Sequence, residues 1–329
     1  MQALVFDRPA LDTSATRIAR LEPPTPGSGQ VAIRVAYAGI NFKDVMSRRG
    51  DPGYAPRWPF VPGVEVSGTV VGLGPEASGH RVGDPVVALT NEGGLAEIAV
   101  AEAALTVPMP AGLDPGRAAS APGALTTAIL LHDHAARVRA GDIVLVHSAG
   151  GAVGRSLADV ARARSGARLV GVVGAATRVG TARDAGYPTV LVRGDALAAD
   201  VRAGTSGRGV DVVLDPQGTA FLHEDLAALA PGGRIILFGN AAGGELAALP
   251  PTHLLYRHNA SVGGFSLAAL SADAPAMVAA AMRAALYMLA AGESTSEVVV
   301  LPGLAATPDA QQALADGAGR GKYVVRVSG

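Results

Sequence analysis

The spacing of apolar and polar residues divides the chain into an N-terminal part with short strands and a central part in which strands and helices alternate. In the N-terminal part, the pattern predicts strands at Gln30–Ala38, Val64–Leu73 and Val86–Leu89. Prolines and glycines crowd the segments between these strands. Short strands joined by proline- and glycine-rich segments are typical of a compact, barrel-like domain.

The central part carries a regular series of apolar runs separated by stretches with helical spacing. Strands are predicted at Ile143–Val146, Arg168–Gly174, Thr189–Arg193, Val210–Asp215, Gly233–Gly239 and Ala260–Ser266. The first intervening helix is expected over residues 152–164. Alternating strands and helices predict a parallel, doubly wound sheet.

The C-terminal part is expected to return to the first domain. A long helix is predicted at Ala274–Ala290, followed by strands at Glu297–Leu301 and Tyr323–Val327. Because Ala260–Ser266 already supplies a sixth strand to the doubly wound sheet, we expect the last two strands to join the barrel-like domain. The predicted division is residues 1–121 and 267–329 for the barrel-like domain and residues 122–266 for the doubly wound domain.

A glycine-rich turn follows the first strand of the central part. Ala149, Gly151 and Gly154 are spaced as A-x-G-x-x-G, a variant of the dinucleotide-binding fingerprint with alanine in its first place. The glycines let the backbone approach a pyrophosphate, and the following helix directs its free N–H groups at the phosphates. An ordinary strand-to-helix turn would look similar, but the alternation of strands and helices around it favours a nucleotide site. His147, just before the turn, is expected to be buried and hydrogen-bonded.

The end of the second central strand indicates which dinucleotide is bound. Sites that prefer NAD usually carry a carboxylate here, which holds the ribose 2′-hydroxyl. This strand ends at Gly174, three small residues follow, and no carboxylate occurs before Asp184. Arg178 comes next in the chain and Arg193 ends the third strand, and guanidinium groups bind phosphate through two donors at once. The sequence therefore predicts NADPH rather than NADH.

The composition narrows the possible classes of function. The chain has 329 residues, 49% of them hydrophobic, which is enough for about two domains with separate cores. A formal net charge of −1 gives no electrostatic basis for binding nucleic acid or an anionic membrane. The chain has no cysteine, which excludes disulfides, cysteine-ligated zinc and cysteine nucleophiles. We recognise no signal peptide or membrane-spanning run, so a cytoplasmic protein is expected.

With these features the chain resembles the zinc-independent medium-chain dehydrogenase/reductases of the quinone oxidoreductase type and the enoyl reductase domains of polyketide synthases. Motifs that match in the family's order cover essentially the full length. They are Gly39–Asp44 (G-I-N-F-K-D), Pro62–Gly68 (P-G-V-E-V-S-G), Gly93–Glu97 (G-G-L-A-E), Thr127, Val146–Gly154 (V-H-S-A-G-G-A-V-G), Gly232–Gly239, Gly264–Ser266 and Gly321–Lys322. Together they are specific for the family and poorly specific for the substrate.

The resemblance implies an α/β fold and a set of cofactor contacts. It implies a GroES-like β-barrel catalytic domain made from both chain ends, a Rossmann domain inserted between them, and a nicotinamide held in the cleft. By similarity, Asn41 lies beside the nicotinamide ribose and Thr127 near the nicotinamide. Further cofactor contacts are expected at Gly150, Gly151, Ala152, Val153, Gly154, Phe238, Gly239, Phe265, Ser266 and Lys322.

The chain departs from the family pattern in two places. The glycine turn has Ala152 at the position where the family's motif more commonly has glycine. The polyketide enoyl reductases pair a lysine with an aspartate after the second central strand, whereas this chain has Arg178 and Gly180 there. We therefore take Tyr54, in a glycine-proline loop near where the resembled enoyl reductases carry a tyrosine, as the candidate proton donor. A packing or lid residue is the alternative interpretation of Tyr54, and Asn41 is the second catalytic candidate.

These observations lead to an expected function without a metal. Hydride addition to an activated double bond needs no Lewis acid, because the substrate's own carbonyl delocalises the charge. We expect NADPH-dependent reduction of the C=C bond of an α,β-unsaturated carbonyl compound or an enoyl thioester. An NADPH:quinone reductase and a non-catalytic NADPH-binding sensor or scaffold remain alternatives. The aliphatic segment Ala260–Gly264 is expected to pair with a second copy of the chain in a homodimer.

Overall fold

The computed structural model describes residues 1–328 as two compact units. The first unit comprises Met1–Thr126, Ala268–Glu293 and the chain from Glu297 onward. The second comprises Thr127–Leu267 together with Ser294–Ser296. This division falls close to the limits predicted after residues 121 and 266.

The N-terminal segment consists mainly of short strands, as the apolar spacing predicts. Its elements are β1 (Gln2–Phe6), β2 (Thr16–Arg20), β3 (Gln30–Gly39), α1 (Phe42–Arg49), β4 (Glu65–Leu73), β5 (Pro85–Leu89), β6 (Ile98–Glu102), β7 (Thr106–Pro108) and α2 (Pro115–Ala118). The alanine-rich stretch that follows is helical but broken, because wider π-type turns occupy Ala121–Leu125 and Leu131–Ala135.

Strands and helices then alternate through the second unit. The elements are α3 (Thr126–Leu130), β8 (Ile143–His147), α4 (Ala152–Arg164), β9 (Arg168–Val173), α5 (Val179–Asp184), β10 (Thr189–Val192), α6 (Leu197–Gly204), β11 (Val210–Asp215), α7 (Leu222–Ala228), β12 (Leu229–Leu237), α8 (Thr252–His258) and β13 (Ser261–Gly264). The C-terminal segment, which returns to the first unit at Ala268, adds α9 (Leu267–Asp273), α10 (Pro275–Ala290), β14 (Val298–Leu301), α11 (Thr307–Ala315) and β15 (Lys322–Arg326).

The first unit is built on a seven-stranded sheet to which both chain ends contribute. Its strand order is β14-β15-β3-β4-β5-β7, with β6 paired to β3. β15 runs antiparallel to β3, so that Val325 stands opposite Ala38. The predicted return of the last two strands is confirmed, because their apolar residues join the same core as Phe6, Ile33 and Val66.

The second unit is built on a six-stranded parallel sheet, which confirms the predicted doubly wound fold. The strand order is β10-β9-β8-β11-β12-β13. All five residues of β8 are buried, because the central strand of such a sheet is covered on both faces. From β8 the chain adds β9 and β10 on one side of the sheet, and it then returns to add β11, β12 and β13 on the other side. Ligands of doubly wound sheets bind beside this switch point, at the carboxyl ends of the strands.

Across the described part of the chain, residues 1–328, no helix is both long enough and apolar enough to cross a lipid bilayer.

Candidate active site

The turn between β8 and α4 presents free backbone donors. Ser148 adopts a left-handed conformation with φ of 55°, and Gly151 N donates a 2.8 Å hydrogen bond to Ser148 O. α4 then begins at Ala152, and no side chain caps its first turn. The first N–H groups of a helix attract anions, and the helix dipole adds a partial positive charge. This arrangement fits a dinucleotide pyrophosphate.

Close packing explains why the last residue of the fingerprint must be glycine. A Cβ atom added to Gly154 would lie 2.5 Å from Ser148 O and 2.7 Å from Ala149 O. The buried Tyr187 hydroxyl also donates a 2.6 Å hydrogen bond to Gly154 O. Ala152 and Val153, in contrast, are half-buried residues of the first helical turn. The alanine that departs from the family pattern is therefore accommodated by ordinary helical backbone.

The carboxyl end of β9 is open and bordered by two arginines of the chain. Gly174 is exposed, and Arg178 ends the short 3₁₀ turn at residues 176–178. Arg193 follows β10 and places its Cζ 4.6 Å from the centroid of the Phe221 ring. A Cβ atom added to Gly174 would lie 3.7 Å from Arg193 Nη1. The guanidinium of Arg193 thus reaches the position at which NAD-preferring sites carry a carboxylate.

A buried ionisable cluster lies at the ends of β8 and β11. His147 Nε2 and Asp225 Oδ1 are 2.7 Å apart, and neither side chain is exposed. Asp215 Oδ1 accepts a 2.7 Å hydrogen bond from Gln217 N, which caps the turn after β11. Burial raises the pKa of Asp215 to about 7, while the charges of His147 and Arg193 oppose the rise. The buried, hydrogen-bonded position predicted for His147 is confirmed.

The other predicted cofactor residues of the second unit lie at strand ends or in α3. Phe238 N donates to Asp215 O at 2.9 Å, and Phe265 N donates to Leu237 O at 2.9 Å. Gly239 and Ser266 follow these two phenylalanines in the chain, so that all four residues stand just beyond β12 and β13. Thr127 lies in α3, with 8% of its surface exposed. Their contacts with a cofactor stay predictions.

In the first unit, Asn41 is bonded at both ends of its side-chain amide. Asn41 Nδ2 donates to Glu65 Oε1 at 2.7 Å, and Lys322 Nζ donates to Asn41 Oδ1 at 2.7 Å. Lys322 Nζ also lies 2.5 Å from Glu65 Oε1 and donates to Ile40 O at 2.7 Å. Lys322 therefore uses its three donors within the first unit. Its predicted direct contact with the cofactor stays a prediction. The three bonds indicate instead that Lys322 holds Asn41 and Glu65 in place.

Asp44 holds the backbone around Asn41. Its Oδ2 accepts a 2.7 Å hydrogen bond from Asn41 N, at the start of α1, and its Oδ1 accepts one of 3.1 Å from Gly63 N. Desolvation raises the pKa of this buried carboxyl to about 6, although these hydrogen bonds and the charge of Lys322 lower it. The neighbouring Lys43 is half-buried, and burial lowers the pKa of its ammonium group.

Tyr54 lies in the loop after α1, half-buried, with its backbone N donating a 3.2 Å hydrogen bond to Asp51 O. Burial raises the pKa of its phenol, and the negative charge of Asp51 raises it further. The hydroxyl therefore keeps its proton at neutral pH. A protonated phenol is what the predicted role as proton donor requires.

Glu65, Asp44 and Lys43 all lie inside the matching motifs, but the sequence alone predicts no task for them. One signal was available, because Glu65 interrupts an apolar strand as Val64-Glu65-Val66. A carboxylate inside such a strand is almost never fully buried unless it is paired. Its cationic partner, Lys322, lies near the other end of the chain, and nothing in the sequence around Lys322 points to Glu65.

The donor atoms of the chain do not fit a catalytic zinc. There is no cysteine, and among residues 1–328 the sole cluster of three potential ligands is His147, Asp215 and Asp225. This cluster is closed to solvent, and its imidazole Nε2 is already bonded to a carboxylate. A catalytic zinc needs an open coordination position, which this cluster lacks.

Known proteins with similar sequences identify the family. Residues 27–111 match the alcohol dehydrogenase GroES-like domain, and residues 152–285 match the family described as zinc-binding dehydrogenases. Quinone oxidoreductase-like protein 2 of Mus musculus is 32% identical over 75% of this chain and 70% of its own length. The chain belongs to the medium-chain dehydrogenase/reductase family. Members of this family are oxidoreductases, and this chain has no cysteine that could serve as a zinc ligand.

A second relative is much longer than this chain. A mycocerosic acid synthase-like polyketide synthase of Mycolicibacterium smegmatis is 36% identical over 69% of the chain, which spans 11% of that synthase. The similarity is therefore confined to one part of the synthase.

Two solved structures share the whole fold. The mycobacterial protein Rv1454c, complexed with NADPH, superposes with a TM-score of 0.90 at 30% identity. A quinone oxidoreductase of Pseudomonas syringae superposes with a TM-score of 0.89 at 26% identity. Each comparison covers 99% of both chains. The predicted combination of a GroES-like domain with a Rossmann domain is confirmed.

Proposed function

We propose that the chain binds NADPH in its second unit and reduces the C=C bond of an α,β-unsaturated carbonyl compound or an enoyl thioester. The observation that carries this proposal is the structure at the end of β9. There Gly174 leaves space for a 2′-phosphate, and Arg193 supplies a positive charge beside it. Arg178 stands a few residues further on. The relative Rv1454c, which was solved with NADPH, supports the same choice of cofactor.

The chain's own groups then have separate tasks. When bound, NADPH supplies a hydride to the electron-poor carbon of the substrate. The turn before α4 holds the pyrophosphate of the cofactor, and Arg178 holds its 2′-phosphate. Asn41 offers an amide to the nicotinamide ribose, and Tyr54 donates the proton that completes the reduction. The chain has no cysteine, and its buried His147–Asp215–Asp225 cluster offers no open coordination position, so the negative charge that develops in the reaction is assigned to the substrate's own carbonyl.

Quinone reduction is a second candidate, because several relatives carry that activity in their names. Quinone oxidoreductase-like protein 2 and the enzyme of Pseudomonas syringae are examples. A quinone accepts hydride with the same cofactor site and the same amide and phenol groups. A third hypothesis is that the chain binds NADPH without turnover, as a sensor or scaffold.

The oxidation of NADPH, followed at its nicotinamide absorbance, tests these alternatives together. The purified chain is mixed with a panel of enones, enoyl thioesters and quinones at a saturating cofactor concentration. We expect turnover with the first two classes. Turnover with quinones alone favours the second candidate, and binding of NADPH without turnover of any acceptor favours the third.

We also propose that the chain forms a homodimer. β13 is an edge strand of the parallel sheet and carries no charged side chain. Unprotected strand edges favour pairing with a second chain. Sedimentation equilibrium is expected to give twice the mass of the chain, and a charged substitution on the edge, Val262→Lys, is expected to give the monomer.

A further inference from the structure

The Asn41 amide is bonded by two oppositely charged groups inside the first unit. Its nitrogen donates to the Glu65 carboxylate and its oxygen accepts from the Lys322 ammonium, both at 2.7 Å. Glu65 is completely buried and Lys322 is 3% exposed. Asn41 itself is half-buried, so that part of the residue still faces solvent.

Two glycines let these groups approach one another. A Cβ atom added to Gly39 would lie 2.2 Å from Glu65 Oε1, and one added to Gly123 would lie 3.0 Å from Asn41 Oδ1. Gly123 N also donates a 2.6 Å hydrogen bond to Glu65 Oε2. Both oxygens of the carboxylate are therefore engaged, and the side chain has no freedom to turn away from Asn41.

The two ends of an asparagine amide have nearly the same shape and differ mainly in hydrogen-bonding character. A charged acceptor on one side and a charged donor on the other favour a single orientation, because charge-assisted hydrogen bonds are roughly twice as strong as neutral ones. The opposite orientation would place the amide NH₂ against the ammonium and the amide oxygen against the carboxylate.

We infer that Glu65 and Lys322 are positioning residues, which fix the orientation in which Asn41 offers its amide to the cofactor. This inference rests on the proposed function, in which Asn41 contacts the nicotinamide ribose. Neither charged residue has to touch the cofactor for hydride transfer to depend on it. Glu65 and Lys322 act through Asn41.

The double variant Glu65→Gln/Lys322→Met tests this inference without leaving a charge unpaired in the interior. Removing one partner of a buried pair is strongly destabilising, whereas replacing both is often tolerated. In the variant, the side-chain carbonyl of the introduced glutamine is expected to keep the bond from Gly123 N. The new NH₂ group then faces Asn41, which must turn its oxygen toward it.

The first readout is the side-chain NH₂ signal of Asn41 in a ¹⁵N–¹H NMR spectrum of the cofactor-free protein, assigned by its loss in Asn41→Ala. In the wild type we expect it shifted downfield by the carboxylate of Glu65 and protected from solvent exchange. In the double variant it should return to ordinary amide values. An unchanged signal overturns the inference. Because this readout needs neither NADPH nor substrate, it is independent of the proposed function.

The second readout is the single-turnover rate of NADPH oxidation in a double-mutant cycle. In the wild-type background, Glu65→Gln/Lys322→Met is expected to lower the rate about tenfold, since small misplacements of positioning groups cost up to about a hundredfold. In an Asn41→Ala background the same pair should change the rate less than about twofold. Equal losses in both backgrounds would mean a structural role unrelated to Asn41 and would overturn the inference.

A matched control removes an exposed ion pair of the same unit. Asp7 and Arg17 are 2.9 Å apart on the surface, and Asp7→Asn/Arg17→Met is expected to leave both the NMR signal and the rate at wild-type values. A wild type that oxidises no NADPH with any acceptor contradicts the proposed function. The NMR readout then still decides whether the pair orients Asn41.

Discussion

His147 and Asp225 form a 2.7 Å hydrogen bond in which neither side chain is exposed to solvent. The histidine ends β8 and the aspartate lies in α7, so that the bond joins the central strand of the sheet to a helix that packs beside it. Burial lowers the pKa of His147, but the hydrogen bond and charge of Asp225 outweigh it and raise the pKa above its ordinary value. Asp215 completes the cluster, with one carboxylate oxygen left without a partner among the described residues.

This cluster predicts that the stability of the protein falls as the pH rises. Asp215 has a pKa of about 7 in the folded state, above its ordinary value, so the folded state holds this proton more tightly than the unfolded state. Its contribution is fully present below about pH 4 and is lost as the pH rises to about 7. The raised pKa of His147 acts in the same direction, because its contribution is lost as the pH rises through the folded-state value.

Asp215→Asn removes the titration and keeps the shape of the side chain. We expect the Tm of this variant at pH 8 to exceed that of the wild type by roughly 5 °C, and the difference to vanish at about pH 4. Calorimetry at the two pH values measures it. Asp195→Asn, at an exposed position, serves as the control and should match the wild type at both. A variant that is less stable at pH 8 would contradict the interpretation of the cluster.

Gly174→Asp is predicted to change the cofactor preference toward NADH. The site has room for the side chain, and the new carboxylate would accept the ribose 2′-hydroxyl, repel a 2′-phosphate and neutralise Arg193. The ratio of kcat/KM for NADPH to that for NADH should fall at least about tenfold, which corresponds to about 1.4 kcal/mol. Ala199→Asp, on the exposed face of α6, adds the same charge elsewhere and should leave the ratio unchanged.

Tyr54→Phe is predicted to lower turnover of an enone at least about tenfold while the Kd of NADPH stays the same. The variant loses the hydroxyl and retains the ring, so packing of the loop is preserved. Stopped-flow measurement of NADPH oxidation and a fluorescence titration with NADPH give the two quantities. Tyr37→Phe, also half-buried in the first unit, is the control. Wild-type turnover in Tyr54→Phe would exclude the phenol as proton donor.

Strong local patterns made the second unit predictable. The helix expected over residues 152–164 is α4, and Val210–Asp215 is β11 with the predicted bounds. The alanine-rich region from Ala118 to Ala136 has the sequence of a helix, but the sequence does not reveal its π-type turns, one of which contains Pro122 and Gly123. An alanine-rich sequence favours helical backbone but shows no apolar periodicity that separates a π-type turn from a regular α-helix.

The candidate site was predictable only where its signals are local in the chain. The glycine turn and the missing carboxylate after β9 are visible within a few residues. The partnership of Glu65 with Lys322 is not, because it arises from the pairing of β15 with β3 and of β3 with β4. Long-range pairing brings together residues whose spacing in the sequence carries no pattern.

The preference of the chain for NADPH over NADH, measured as a ratio of kcat/KM values in wild type and Arg178→Ala, tests the central claim most directly. We predict a ratio far above one for the wild type and a fall of about ten- to a hundredfold in the variant, as a lost charge-assisted phosphate contact requires. Arg183→Ala, which removes an exposed arginine from α5, should keep the wild-type ratio. A wild-type ratio near one, or a ratio that Arg178→Ala leaves unchanged, would contradict the account.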